Sequence, residues 1–235
     1  WDLCRQLESE IGIQIFYLPE FDDSVEGALV THATYAGTAL DSAYFQKVYS
    51  ELTEMKQAFD LYPEGFLKEV VAKKGDRTTQ IVLFPADMVW FAGEPSGLGY
   101  GFHGEHVYDY SDTRTDRIYY TGDGEPYSYG HEMGHMVVSS AMIANGWTQS
   151  CDQWVSYTAN SGAEGFVSSY AMASRPEDFA ETWAYLWHYR SEVEAMLNTG
   201  RSEALRGKIG YLTQVLISQY STATWDNLPW TYLLE

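Results

Sequence analysis

The sequence predicts an α+β fold, with a small mixed sheet and helices in an N-terminal part followed by a helical C-terminal part. Two observations support this prediction. Short apolar or alternating runs, typical of strands, occur before residue 125, and helical apolar patterns dominate from Pro126 onward. We therefore expect one domain of 235 residues, with a sheet-containing lobe at 1–125 and a helical lobe at 126–235.

The N-terminal lobe begins with alternating strand and helix patterns. The run IGIQIFYLP (11–19) is typical of a strand, and TTQIVLFPA (78–86) predicts a second one. Between them, 39–63 carries apolar residues at helical spacing, and EGFLKEVVAKKG (64–75) predicts a shorter helix that ends at Gly75. The helical stripe of 39–63 consists of Tyr44, Phe45, Val48, Tyr49, Leu52, Met55 and Phe59.

The remaining elements follow in order along the chain. The glycine-rich segment 91–105 predicts a loop or lid. The segment 105–124 alternates on both sides of a polar turn, which is typical of a hairpin. Helices are predicted at about 127–145, 176–198 and 202–220. The helix at 127–145 is expected to lie between the two lobes.

Composition excludes two classes of protein. The formal net charge of −19 argues against binding to a nucleic acid backbone, which needs a basic surface. No apolar run reaches the 18 or so residues of a membrane span. The first residues, WDLCRQLESE, lack both a signal peptide pattern and an initiator Met. We therefore expect that a leader is absent from this chain and that the protein is secreted or attached to the cell surface.

The chain has two cysteines, Cys4 and Cys151. Two unpaired, partly buried thiols are one interpretation. A bridge between them is the other, and an exported protein would permit it.

The segment YGHEMGHMVV (129–138) contains the pattern H-E-x-x-H. On a helix, His131 and His135 project from one face and can reach a single ion, whereas Glu132 points about 100° away. Glu132 would therefore lie where it can take a proton from water, as in zinc peptidases. The alternative is a pair of hydrogen-bonded core histidines. The helix is apolar nearly all round, however, so it should be buried. Burial of three ionisable side chains costs on the order of several kcal/mol unless they are paired or bound to a metal.

A catalytic zinc site needs a third protein ligand and an open position. The metzincin pattern is excluded because Val138 and Ala141 occupy the positions of its Gly and third His. Downstream, Glu177 and Glu181 lie one turn apart on the helix predicted to begin at about Pro176. They could instead form an ordinary solvated face opposite the apolar stripe.

Other candidate ligands are weaker. Asp152 and Asp178 are alternative third ligands, and HGEH (103–106) could bind a second metal but is more simply a solvated or substrate-facing segment. His32 and His188 have no partner pattern and are interpreted as structural.

The segment HEMGH, followed about forty residues later by YAMASRPEDFAE, resembles the catalytic domain of anthrax lethal factor and the related Pro-Pro endopeptidases. The resemblance covers about 129–185 and implies a zincin-like fold of the gluzincin type. It implies His131, His135 and Glu177 as zinc ligands and Glu132 as the catalytic base. It further implies that Glu181 supports His131 and that Tyr170 assists catalysis at the oxyanion.

These observations predict a Zn²⁺-dependent endopeptidase. Its expected partner is a peptide or protein substrate that binds in extended form. The expected binding site is the exposed edge of the hairpin strand near DRIYYT (116–121). A monomer is expected. Two alternatives remain: a zinc-bearing surface module without catalysis, against which the intact Glu132 argues, and a toxin-like protease that acts on a host protein.

Overall fold

The computed structural model describes residues 2–17, 30–32, 41–75, 78–84, 90–91, 104–108, 115–121, 126–145, 165–199 and 202–235. Helices and strands alternate in the first half, and helices follow from 126 onward, so the fold is α+β, as predicted. The helices are α1 Asp2–Ile11, α2 Ser42–Phe59, α3 Phe66–Ala72, α4 Pro126–Asn145, α5 Arg175–His188, α6 Arg190–Asn198 and α7 Ser202–Gln219. The strands are β1 Gln14–Phe16, β2 Val30–His32, β3 Thr78–Phe84, β4 Trp90–Phe91, β5 Gly104–Tyr108 and β6 Thr115–Thr121. Single 3-10 turns occupy Tyr170–Met172 and Thr231–Leu234.

The chain divides into two compact units. The first contains 1–58 and 75–129, and the second contains 59–74 and 130–235. The division within α4 lies a few residues from the predicted one at 125/126. However, the segment 59–74, which includes α3, groups with the C-terminal part. No sequence pattern indicated this exchange.

The first unit contains a four-stranded sheet in the order β1-β3-β6-β5. β3 is parallel to both β1 and β6, and β5 is antiparallel to β6, which confirms the predicted hairpin. Ile81 and Leu83 of β3 and Ile118 and Tyr120 of β6 are fully buried. The apolar positions of the two central strands therefore form part of the core.

The structure contradicts the prediction that 116–121 has an exposed edge. β6 pairs with β3 over all seven of its residues and with β5 on its other side. Among the strands that the structure describes, the edges of this sheet are β1 and β5. The parallel pairing of β3 with β6 joins segments that are distant in sequence, so the local hairpin pattern could not indicate it.

The helix α2 begins where the Asp41 carboxylate accepts hydrogen bonds from the amides of Ala43 (2.9 Å) and Tyr44 (3.0 Å). Its predicted apolar stripe is buried in part. Phe45 and Tyr49 are 45% and 64% exposed. The buried members of the stripe are Tyr44, Val48, Leu52, Met55 and Phe59. The stripe is therefore narrower than predicted.

The predicted helix at 176–198 is two helices, because α5 ends at His188 and α6 begins at Arg190. Tyr189 between them has φ −125° and ψ 37°, which is outside the helical region. The predicted short helix corresponds to α3, and Gly75 follows it with a left-handed φ of 70°. Among the described residues, no helix is long and apolar enough to cross a membrane.

An aromatic cluster forms the core of the second unit. Trp183 of α5 stacks on Tyr62 and Phe66 with ring centroids 5.4 and 5.8 Å apart. The Trp183 indole N–H donates to the Tyr62 hydroxyl at 3.2 Å. Trp187, one turn later, meets Trp230 edge to face at 4.8 Å. α5 is therefore fixed by its buried face against 59–74 and the C-terminal segment.

Cys4 is a buried free thiol on α1, and Cys151 lies outside the described residues. Burial, together with the nearby Glu8 carboxylate, raises the pKa of Cys4 to about 11. The thiol is therefore protonated and unreactive at neutral pH.

Candidate metal centre

The helix α4 places His131 and His135 one turn apart. Their ring centroids lie 4.9 Å from each other. His131 and the adjacent Glu132 are buried, with 7% and 6% of their surface exposed. The neighbouring Met133, Met136 and Val137 are also buried, in agreement with the predicted apolar helix. Burial of two ionisable groups at adjacent positions requires charge compensation nearby.

The glycine of HEMGH allows α5 to approach α4 closely. A β-carbon on Gly134 would lie 2.9 Å from the backbone Cα of Ala180 and 2.9 Å from Cδ1 of Trp183. Neither neighbour is the flexible end of a side chain. Because Gly134 lies between the two histidines and Ala180 lies between Glu177 and Glu181, this contact sets the separation of the two pairs.

The start of α5 positions Glu177. Ser174 is extended (φ −159°, ψ 169°) and its side chain accepts a hydrogen bond from the Glu177 amide at 3.3 Å. Pro176 occupies the first turn, where its missing N–H has no cost. Glu177 therefore lies in the first turn of the helix, where the helix dipole also favours a carboxylate.

The structure brings His131, His135 and Glu177 together. Oε2 of Glu177 lies 3.0 Å from Nε2 of His131 and 3.4 Å from Nε2 of His135. One ligand atom from each of the three residues lies within 4.8 Å of the others. Two imidazole nitrogens and a carboxylate oxygen are the donor set of a three-ligand catalytic zinc site. The group can hold a metal ion, and its chemistry fits zinc.

Glu181 lies on the opposite side of the His131 ring from Glu177. The Nδ1–H of His131 donates to Oε1 of Glu181 at 2.8 Å. This bond leaves Nε2 as the nitrogen that faces Glu177 and His135. The side chain of Glu181 is 5% exposed and that of Glu177 is 22% exposed. The two glutamates are therefore not a solvated face.

Ser168 completes the hydrogen bonding of Glu181. Its hydroxyl donates to Oε2 of Glu181 and accepts from the Ala171 amide at 3.0 Å. Sequence reasoning missed Ser168 because a serine in the segment before a predicted helix has no distinguishing pattern.

The neighbouring carboxylates control the charge of His131. Burial opposes protonation of His131, but hydrogen bonds to Glu177 and Glu181 and the charge of Glu132 outweigh it and raise its pKa to about 10. Burial likewise opposes the charge of Glu177, and the two histidines outweigh it and hold the pKa of Glu177 far below its usual range. Because Nδ1–H of His131 is bonded to Glu181, the contact between Nε2 of His131 and Oε2 of Glu177 requires a positive charge between these two atoms, either a proton or a metal ion.

Tyr170 lies beside this group, on the 3-10 turn. Its ring centroid is 5.8 Å from that of His131, and the side chain is 55% exposed. Partial burial, followed by the charges of Glu177 and Glu132, raises the pKa of Tyr170 to about 12. Tyr170 therefore keeps its proton at neutral pH and can donate a hydrogen bond.

The structure places the alternative ligand Asp178 elsewhere. Asp178 is buried and accepts a hydrogen bond from the buried ammonium of Lys208 at 2.7 Å. The same ammonium lies 4.0 Å from the ring centroid of Phe166. This buried ion pair fixes the first turn of α5 to α7 and leaves Glu177 to face the histidines.

The remaining candidates have different outcomes. His188 packs over Gly130, where an added β-carbon would lie 2.4 Å from its Nε2, which agrees with a structural role. Asp152 and His103 lie outside the described residues, and the side chains of His32 and His106 also lie outside the description.

Residues 130–226 match a family model described as "Putative zinc-binding metallo-peptidase". The match covers less than half of the 235 residues, but it contains every residue of the candidate metal centre. It supports a zinc metallopeptidase family and, with the His131–His135–Glu177 group, Zn²⁺ as the cofactor. Neither the curated proteins nor the solved structures contain a match to this chain.

Proposed function

We propose that this protein is a zinc-dependent endopeptidase of the gluzincin type, with a zincin-like fold. The observation that carries the proposal is the convergence of His131, His135 and Glu177, with ligand atoms within 4.8 Å of one another. Glu181 on the other nitrogen of His131 supports it, because histidine ligands commonly donate their second N–H to a carboxylate.

The three residues would hold the zinc ion, and each has a position fixed by the fold. When bound, zinc supplies a Lewis acid that polarises a peptide carbonyl and makes water more acidic. Two neutral imidazoles and one carboxylate leave a net positive charge at such an ion. The acidic surroundings of His131 then hold its Nδ1–H on Glu181, so that Nε2 is directed toward the ion.

Glu132 is the proposed general base. It follows His131 directly on α4, is 6% exposed, and its charge affects the pKa of both His131 and Tyr170. It is therefore close to both groups. A carboxylate here can take a proton from the attacking water and return it to the leaving amine.

Tyr170 is the proposed donor to the oxyanion. Its raised pKa keeps the hydroxyl protonated, and its exposure leaves it accessible to a substrate. A hydrogen bond that forms only as negative charge develops on the carbonyl oxygen lowers the barrier without strengthening substrate binding.

The proposed substrate is an extended peptide. Because β6 is paired on both sides, we propose that a peptide adding to this sheet by strand pairing uses β5 or β1, the edge strands of the described part of the sheet. A secreted or cell-surface location and a monomeric state remain predictions.

The decisive experiment separates hydrolysis from metal binding. Glu132→Gln should keep the zinc content of the parent and abolish cleavage of a random peptide library, because it removes the base and leaves the three ligands. Zinc is measured by elemental analysis, and products by mass spectrometry. Glu203→Gln, at an exposed position on α7, is the matched control and should retain activity.

Two results would contradict the proposal. Protein that takes up no zinc on titration would exclude the metal site. A parent that binds zinc but cleaves no peptide in the library would favour the alternative of a non-catalytic binding module.

A further inference from the structure

The hydroxyl of Ser168 joins two parts of the candidate site. It donates to Oε2 of Glu181, whose other oxygen accepts from Nδ1 of His131. It also accepts from the amide of Ala171, in the 3-10 turn that carries Tyr170. A continuous chain of hydrogen bonds therefore runs from the backbone of that turn through Ser168 and Glu181 to His131.

Each bond in this chain has a physical requirement. Glu181 is almost fully buried, so each of its carboxylate oxygens needs a donor in place of water. His131 supplies one donor and Ser168 supplies the other. Without the hydroxyl, Oε2 of Glu181 would lose the hydrogen bond that Ser168 donates, and the carboxylate would be free to rotate away from His131. The hydroxyl is itself oriented because its oxygen accepts a hydrogen bond from the Ala171 amide.

We propose that Ser168 is a positioning residue that holds Glu181 against His131 and links the turn of Tyr170 to the metal site. This role rests on the proposed zinc site and adds to it the residue that, through Glu181, sets the orientation of the His131 ring. The opposing interpretation is a purely local role, in which Ser168 only caps the 3-10 turn through the Ala171 amide.

A double-mutant cycle on zinc affinity distinguishes these roles. Dissociation constants for zinc alone are measured by competition with a chromophoric chelator, for the parent, Ser168→Ala, Glu181→Ala and the double variant. Ser168→Ala should weaken zinc binding about tenfold, at the lower end of the range of ~10–100-fold for such supporting groups. Because Ser168 acts through Glu181, the double variant should bind zinc no more weakly than Glu181→Ala. Ser168→Thr keeps the hydroxyl and should restore the affinity of the parent.

A local capping role gives a different result. Ser168→Ala would then lower the melting temperature and leave the zinc dissociation constant unchanged, or the effects of the two substitutions would multiply. Either result would overturn the proposal.

Hydrogen exchange provides a second measurement on the unaltered chain, which does not depend on the folding of a variant. Zinc should slow exchange of the Ala171 amide, because binding of the ion to His131 orders Glu181 and Ser168, and Ser168 accepts the hydrogen bond of that amide. Unchanged exchange at Ala171 with zinc bound would overturn the inference. Absence of zinc binding in the parent would instead remove the proposed function itself, so the two failures are distinguishable.

Discussion

Glu177 occupies a position where a different hydrogen bond would be expected. The sequence Ser174-Arg175-Pro176-Glu177 has the spacing of a capping box, in which the glutamate reaches back to the amide of the capping serine. The serine half of this pair is formed, because Ser174 accepts from the Glu177 amide. The carboxylate is directed instead at His131 and His135. The candidate metal centre thus includes a residue that would otherwise stabilise the helix end.

The two glutamates of α5 should differ in their effect on metal binding. Glu177→Ala removes a proposed ligand and should abolish zinc binding under conditions where the parent is loaded. Glu181→Ala removes only the support of His131 and should weaken binding by about 10–100-fold. Titration with zinc against a competing chelator measures both.

The order of these two effects is the informative result. A larger loss for Glu181→Ala would mean that the ligand has been assigned to the wrong carboxylate. Glu192→Ala, at an exposed position on α6, is a control that should not change the affinity.

Tyr170 should affect the rate and not the binding of substrate. Tyr170→Phe removes only the hydroxyl, which we expect to interact with the oxyanion in the transition state. We therefore expect kcat to fall by about 10²–10³-fold, with KM and zinc content nearly unchanged. Steady-state kinetics on a cleaved peptide measures this. Activity within about threefold of the parent would remove Tyr170 from the mechanism, since the loss would be smaller than that of one oxyanion donor.

At the scale of elements, the approach of α5 to α4 at Gly134 determines the geometry of the site. Gly134→Ala should destabilise the fold by roughly 1–3 kcal/mol, in the range for overpacking, and should weaken zinc binding. The added methyl group meets backbone and indole atoms at 2.9 Å and forces the two helices apart. Chemical denaturation and zinc titration measure the two effects.

Gly210→Ala on α7 is the matched control. An added β-carbon there has its nearest contact at 3.9 Å, with the end of the Leu234 side chain. The helix propensity of alanine should then stabilise the protein by up to about 1 kcal/mol. Equal stability and equal zinc affinity of Gly134→Ala and Gly210→Ala would show that the close contact at Gly134 does not determine the distance between α4 and α5.

The sequence allowed prediction where the determining interactions are local. The spacing of His131 and His135 on α4, the hairpin β5–β6 and the start of α5 follow from helix period, alternation and capping, and the structure has each of them. Pairing of β3 with β6 and packing of 59–74 on Trp183 join distant segments, and no local pattern encodes them. The prediction of Glu177 as the third metal ligand depended on the family resemblance, because the helical spacing of Glu177 and Glu181 is equally typical of a solvated helix face.

At the scale of the whole molecule, the stability of the fold should depend on pH through His188. Burial lowers the pKa of His188 from 6.5 to about 4. Between these values the unfolded chain takes up a proton that the folded chain excludes, so stability decreases as the pH falls from about 6.5 toward 4. Above pH 6.5 the histidine is neutral in both states and contributes no pH dependence.

Replacement of His188 by Gln removes this titration. Because the His188 side chain is partly exposed, we expect its titration to lower the free energy of unfolding by on the order of 1–2 kcal/mol between pH 6.5 and pH 4. Denaturant unfolding of the metal-free protein at pH 7 and pH 4.5 should therefore show a smaller loss of stability for His188→Gln than for the parent. Because the two proteins differ only at residue 188, the difference between their losses of stability measures the contribution of His188. Equal losses would mean that the burial of His188 does not affect folding.

The second compact unit is discontinuous in sequence, which has a consequence for synthesis on the ribosome. The segment 59–74 emerges more than a hundred residues before Trp183 and Trp187, the residues on which Tyr62 packs. Tyr62 and Phe66 must therefore stay exposed, or be held by other apolar surface, until α5 has been translated. A truncated chain that begins at residue 130 would contain all three proposed ligands, yet it would lack the aromatic surface of Tyr62 and Phe66 on which α5, the helix of Glu177, packs through Trp183.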